Sequence, residues 1–497
     1  MTASPRSMST APAGRGGRDR NGGVPRWLRS PVEVSTIDRV EGPLVFVTGT
    51  EGVGWDEEVV VHGADGSTRH GVVIDVDGDL AIVEVYEGTR GLGVADNVVA
   101  FTGSPMQIPV TERWLGRTCN GRGVPLDGGP PIRAAHTRPV SGSGMNPARR
   151  DVPSDPVITG VSAIDGLTTL VRGQKLPIFS VGGLPHLDLA IQVAAQSKVE
   201  GAEFRVVFVG MGVTNADTAL VRAGLEERLH RDEAALFINT ADDPPMERLL
   251  APRLALTVAE HLAFDRGHHV LVVMTDMTSY CDAVRELASA RGDIPSRRGY
   301  PGYLFSDLAS IYERCGRLQE RAGSITELPI LTMPAGDITH PVPDLTGYIT
   351  EGQIVLSPDM YARGISPPID PLSSLSRLMR RGAGPGRTRD DHLAISAQVM
   401  ALLARSRQAD QLAALIGLDA LSIIERRLLD FGTRLEREFL DQPVTEERSL
   451  DRTLDLAWTA AATMPARELN MVTTEQIEAH APQLLGPAAR ASQEPDR

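Results

Sequence analysis

The sequence predicts a multidomain α+β protein: a small N-terminal β-barrel, a central α/β domain on a parallel sheet, and a C-terminal helical bundle. Three observations carry this prediction. Short apolar runs broken by turn residues fill the first hundred positions, compact apolar runs alternate with helical stretches in the middle, and an apolar period of three to four takes over towards the end. The boundaries that follow are a disordered tail at 1–31, the barrel at 32–104, the α/β domain at 105–386, the helical domain at 387–480 and a second disordered tail at 481–497.

The barrel is read from the segments VSTID, LVFVTG, EVVVHG and VVAFTG, all of strand length. VVIDV and LAIVEVY flank Asp77-Gly78, a hairpin signal. After the Pro/Gly-rich link SGSGMNPARRDVPSDP come FRVVFVG, AALFINT, HVLVVMTD, LPILTMP and QIVLS. Between them lie ALVRAGLEERLHR, MERLLAPRLALTVAEHLAF and CDAVRELASARG, and such alternation predicts a parallel sheet covered by helices on both faces. In the last part Leu421, Ile424, Leu428, Phe431, Leu435 and Phe439 step along one helix face, with Glu425, Arg426, Arg427 and Glu436 turned outward.

Bulk composition excludes several classes. A chain of 497 residues with 41% hydrophobic content is long enough for about three domains with real cores. A net charge of -14 opposes general nucleic-acid binding, which needs a basic face. Cys119, Cys281 and Cys315 are widely spaced and form no CxxC pair, so they read as reduced, buried thiols. No apolar run approaches the ~20 residues of a membrane helix, and the Arg/Gly/Ser-rich start lacks the apolar core of a signal peptide. That start is read as a solvated tail and not a transit peptide, and any membrane role as passing through partners.

Ligands in such sheets bind beyond the carboxyl ends of the strands. There the strand KLPIF runs into SVGGLPH and a helical pattern, which is the layout of a phosphate-binding loop. The chemistry of that loop needs a lysine on the terminal phosphates and a hydroxyl on magnesium, but Pro185, His186, Leu187 and Asp188 stand in those places. The chain has two lysines, Lys175 and Lys198. Lys175 precedes the strand, at the opposite end of the sheet. Lys198 lies on an expected helix, roughly 20 Å beyond Gly183 at ~1.5 Å per residue. Asp276 ends HVLVVMT where a magnesium-binding carboxylate would lie, but without the lysine and the hydroxyl it reads as a helix cap. Met211-Gly212-Val213-Thr214 offers no carboxylate to position water. Three parts of a hydrolytic site are absent together. The glycine turn still offers amides to an anion; the alternative is that Gly182-Gly183 only make a tight turn.

The runs MNPARRDVPSDPVITGVSAIDGLTTLVRGQKLPIFS, FVGMGVTN, NTADDPPMERLLAPRLALTVAEHLAF, VVMTDMTSYCDAVRE, SRRGYPGYLFSDLASIYERCGR, PDLTGYITEGQI and SLSRLM resemble the B subunit of the V/A-type rotary ATPases, which is their non-catalytic subunit. The resemblance spans about Val32 to His480. It implies a ring in which this chain alternates with catalytic A subunits. It implies ATP or ADP with magnesium at the A/B interfaces, held mainly by the A subunits, and no metal ligand from this chain. It implies that one arginine, matching Arg377 in DPLSSLSRLMR, reaches across the interface to the ATP phosphates as a finger. A planar, permanently charged fork suits charge spread over phosphoryl oxygens. Spacing alone would make Arg377 an ordinary salt-bridged helix arginine.

The resemblance further implies central rotor and peripheral stalk partners, a place on the cytoplasmic face of the membrane, proton transport by default, and an isolated chain that is monomeric or weakly associating. Tyr348, expected in a core, His186, expected at a solvated helix start, and Arg297 and Arg298 receive no role. SVGGLPH departs slightly from the family's GSGLPH-like text, and the N-terminal tail has no counterpart. Two rival readings remain: a stand-alone hexameric ATPase, which would need its own loop lysine, and a nucleotide-sensing module without a partner ATPase.

Overall fold

The computed structural model describes residues 32–34 and 36–485. The N-terminal tail 1–31 and residues 486–497 lie outside the described residues. The chain forms two compact units, one ending at Met106 and one beginning at Gln107.

The first unit is a seven-stranded antiparallel sheet. In spatial order the strands are Val32–Val34, Val98–Phe101, Glu58–His62, Thr68–Asp77, Leu80–Val85, Leu44–Val47 and Ile37–Glu41. The two end strands are consecutive in sequence, so the chain itself brings the edges together and the sheet curls into a barrel. Alternation does the filling: Val59 and Val61, Val45 and Val47, and Val83 and Val85 point into a core with Val99 and Phe101. The hairpin pairs Asp77 with Leu80, so its two turn residues are Gly78 and Asp79, one position later than expected. Gly78 takes φ 64°, a conformation glycine adopts without strain.

The second unit is built on a sheet whose main strands run parallel. Their order is Gly352–Val355, Ile178–Val181, Ser324–Met333, His269–Thr275, Phe204–Val213, Ala234–Thr240 and Thr118–Asn120. Leu375–Ser376 adds an antiparallel edge beside Gly352–Val355. All seven residues of His269–Thr275 are buried, as a central strand covered on both faces requires. Val206, Phe208, Leu271 and Val273 face one core with Leu189 and Val193 of the helix His186–Gln196. Helices Pro245–Glu260 and Met277–Arg291 also pack on the sheet, and none of their residues belongs to that core.

The C-terminal helices do not stand apart. Phe431, Phe439, Leu454 and Trp458 join the same core as the sheet strands. Gly166 lies so close to Phe439 and Thr453 that a Cβ would come within 2.9 Å of the Phe439 ring. Helix Ile423–Arg434 opens with a reciprocal cap between Ser422 and Glu425 and continues as a π-helical turn, Leu435–Leu440. Leu421 is buried but precedes the cap, Glu425 is consumed by it, and Glu436 receives Arg363 at 2.5 Å. Of the four residues expected to point outward, Arg426 and Arg427 are exposed. The link between helix His392–Ile416 and helix Ile423–Arg434 forms an apolar tip, with Leu415 83% and Ile423 76% exposed. At the end of the chain Ala481 is buried and Pro482–Leu484 form a helical turn, so order extends beyond the expected boundary at 480. No helix among the described residues is long and apolar enough to cross a membrane.

All three cysteines are buried and unpaired. Burial pushes the Cys119 thiol up to about 12, and holds those of Cys281 and Cys315 well above their ordinary value. The thiolate is the reactive form. The folded protein is therefore expected to leave a thiol-titrating reagent unreacted at neutral pH and to consume three equivalents once denatured. A rapidly reacting thiol in the native state would show that one of these segments opens.

Candidate functional site

Residues singled out in the sequence lie at both ends of the sheet. At the carboxyl end, Ile178–Val181 leads into Gly182-Gly183, with Gly183 at φ 89°. A Cβ on either glycine would meet nothing within 4 Å, so the space above the turn is open. The amides that follow Gly183 are partly taken up within the turn. Leu184 N–H donates to Val181 O at 3.1 Å, His186 N–H donates to Leu184 O at 2.8 Å, and Pro185 has no N–H. The arrangement folds onto itself where a phosphate loop would present successive donors. His186 begins the helix, half-buried, and one ring nitrogen lies 3.2 Å from the buried Ser180 hydroxyl, so it is tied to the strand and not simply solvated.

Asp276 caps the helix Met277–Arg291. Its Oδ1 accepts from Thr278 N–H at 2.7 Å and from Thr332 N–H at 3.2 Å. Thr214 enters a reciprocal cap with Asp217, which occupies the nearest carboxylate after the Met211–Thr214 turn. Arg248 was missed by the sequence reading. It stands over Gly212 and donates to Asn239 Oδ1 at 2.8 Å, with no carboxylate within ion-pair distance among the described residues. Its signal was faint, since one arginine in a helical run looks like any other.

Neither lysine approaches the loop. Lys198 follows the helix end at Gln196, pairs with Ile158 in an isolated bridge and meets Glu447 at the surface, so it does not lie on a helix. Lys175 is buried at the amino end of the sheet, where its ammonium lies 3.0 Å from Glu351 and 3.2 Å from Glu313. Burial opposes that charge, but the neighbouring Cys315, Glu351 and Glu313 together outweigh burial and raise its pKa above the ordinary 10.5. Glu327 lies in the same cluster, wholly buried, and neither of its oxygens has a hydrogen-bond partner among the described residues. Burial holds its carboxyl well above the ordinary range, against the pull of Lys175 and Arg314.

Arg377 follows the edge strand Leu375–Ser376 at this same end, remote from the glycine turn. It is exposed, lies outside any helix, and has no carboxylate within ion-pair distance among the described residues. The guanidinium Nη1 donates to Thr350 O at 3.0 Å and the backbone N–H to Glu351 O at 3.0 Å. Gly352, at φ 143°, admits the Leu375 carbonyl so closely that a Cβ there would collide with it. Tyr348 lies in the preceding helix, Pro341–Ile349, and is 77% exposed, not a core tyrosine. Arg297 and Arg298 pair with Asp344 and Asp337.

Sequence families match along this architecture. The β-barrel domain of the ATP synthase alpha/beta family matches 37–103, the nucleotide-binding domain of that family matches 160–376, and the C-terminal domain of V and A type ATP synthases matches 381–481. The class is thus that of the ATP synthase alpha/beta family. The B subunit of the A-type ATP synthase of Aeropyrum pernix is 51% identical over 452 residues, covering 90% of this chain and 98% of that protein. The solved structure of an ATP synthase subunit, NeqB, from Nanoarcheaum equitans superposes with a TM-score of 0.67 at 36% identity, over 84% of this chain and 98% of that one. The chain belongs to the B-subunit family of the V/A-type rotary ATP synthases.

Proposed function

We propose that this B subunit is non-catalytic by itself and completes an ATP site on a neighbouring A subunit by presenting Arg377 as a finger. One observation carries the reading: an exposed arginine with no acidic partner among the described residues ends a sheet edge, while the chain's own glycine turn lacks the lysine and the hydroxyl a triphosphate needs. The residues at that turn do not fit ATP with magnesium, so the nucleotide and metal would be held mainly by the A subunit. Arg377 fits a phosphate group: a delocalised, permanently charged fork stabilises charge that spreads over phosphoryl oxygens. In this reading A and B alternate in a ring, and hydrolysis or synthesis is coupled to rotation and proton transport. The apolar tip around Leu415, Ile416, Leu418 and Ile423 is a surface of the kind that seeks a partner, and it would bear on the central rotor. Contact with the membrane, on its cytoplasmic face, would come only through the complex and its stalks.

The test compares ATP turnover by the purified chain, by its cognate A subunit, and by the two mixed. The chain alone is expected to be inactive and to show no binding heat with micromolar Mg-ATP, while the mixture turns over. Turnover by the chain alone would restore the stand-alone motor.

A further inference from the structure

Arg377 extends an edge strand of two residues, which among the described residues pairs only with Gly352 and Gln353. Short strands with one neighbour sit at the low-stability end of a fold. A group that must meet a phosphoryl oxygen tolerates little wandering, since a ~1 Å misplacement costs on the order of 10²-fold in rate. Something must hold this edge still.

Arg377 donates to two consecutive carbonyls, those of Thr350 and Glu351. Behind them lies Gln174, which is wholly buried. Its Nε2 donates to Glu351 O at 3.1 Å and to Ser376 Oγ at 3.0 Å. Its Oε1 accepts from Val171 N–H at 3.0 Å. The Ser376 hydroxyl donates onward to Thr169 O at 3.1 Å. One amide therefore grips the carbonyl that receives the Arg377 N–H and the side chain of the residue before Arg377. Lys175, the next residue, fastens the other side of Glu351: its N–H donates to Glu351 Oε2 at 2.8 Å, and its ammonium faces Oε1.

We propose that Gln174 is the positioning residue for Arg377, tying the two-residue edge strand to the buried amino end of the sheet so that the guanidinium is presented in one place. This rests on the reading of Arg377 as the arginine acting across the interface. Glutamine suits the task because a neutral amide supplies two donors and an acceptor at once. A glutamate could not donate to Glu351 O or Ser376 Oγ, and would add a charge beside Glu313, Glu327 and Glu351.

The test uses the chain assembled with its A subunit, and reads kcat and KM for ATP hydrolysis in Gln174→Met, Ser376→Ala, Arg377→Ala, and each of the first two combined with Arg377→Ala. Gln174→Met is expected to assemble normally and to lower kcat about tenfold or more, with KM within about twofold, and to add nothing to Arg377→Ala. A wild-type kcat in Gln174→Met, or the same loss repeated in the Arg377→Ala background, would overturn the inference and leave the arginine reading standing. Full activity in Arg377→Ala would instead overturn the arginine reading, and this inference with it. If Gln174→Met does not assemble, Ser376→Ala decides alone. A kcat loss that vanishes in the Arg377→Ala background supports the role of Gln174, and no loss or a persistent one sinks it.

Discussion

Replacing Arg377 by alanine is expected to leave the assembled complex intact and to lower its ATP turnover by about 10³-fold or more. The asymmetry between stability and rate is the point. Arg377 is exposed and, among the described residues, its side chain makes one hydrogen bond, to Thr350 O. Losing it should cost no more than about 1 kcal/mol of folding stability. In the proposed role the same side chain supplies a charge to a transition state in a neighbour's site, where water is excluded and electrostatic terms are large. Arg377→Lys should recover little, because an ammonium on a flexible stem cannot reproduce the planar fork. Turnover of the variant complexes, with assembly checked by size-exclusion chromatography, decides the matter. An alanine variant with wild-type turnover would make Arg377 a surface arginine.

The largest effect on stability is expected at Lys175. Lys175→Met keeps the apolar stem but strips the ammonium from between Glu351 and Glu313 and beside the buried Glu327. Glu351 then loses its buried cation while Glu313 keeps Arg150 at 2.6 Å, and because both carboxylates are partly exposed the cost is about 1–3 kcal/mol. The unfolding transition of the α/β unit should move to clearly lower urea concentration. The pH behaviour separates this cluster's members. The folded pKa of Lys175 is raised, so its contribution is complete below 10.5 and fades only above it. The Lys175→Met loss should therefore be constant across the neutral range.

Glu327 behaves in the opposite sense. Its folded pKa is also raised, but as an acid it then holds a proton in the folded state that the unfolded chain releases above about 4.5. It thus lowers stability progressively as pH rises past that value. Glu327→Gln, which mimics the protonated form, should gain on the parent from mildly acidic to mildly alkaline pH. An unchanged pH slope in Glu327→Gln would show that this carboxyl is ionised in the fold.

The sequence alone determined the order of elements and the deficit at the glycine turn. Periodicity is local: the two-residue alternation of EVVVH and the unbroken apolar run HVLVVMT each follow from which faces must be dry, so strands and helices could be placed from residue types. The missing lysine and hydroxyl were equally visible, because the loop chemistry depends on residues adjacent in sequence. Local pattern went astray where a neighbour distant in sequence decides the outcome. Lys198 leaves its helix to pair with Ile158, and the hairpin turn shifts to Gly78-Asp79 because cross-strand pairing fixes its register.

Only the tertiary structure decided that the C-terminal helices share a core with the sheet, that Arg248 stands over Gly212, and that Gln174 lies behind Arg377. Gln174 and Ser376 are 202 positions apart in sequence, yet they meet at 3.0 Å. Hydrogen bonds of this range carry no periodic signature, since nothing in the spacing of two residues records that the fold will bring a loop and an antiparallel edge strand together. The sequence could point to Arg377 through a matching motif. The structure alone shows that this arginine is exposed, has no acidic partner among the described residues, and follows a serine whose hydroxyl meets a buried amide.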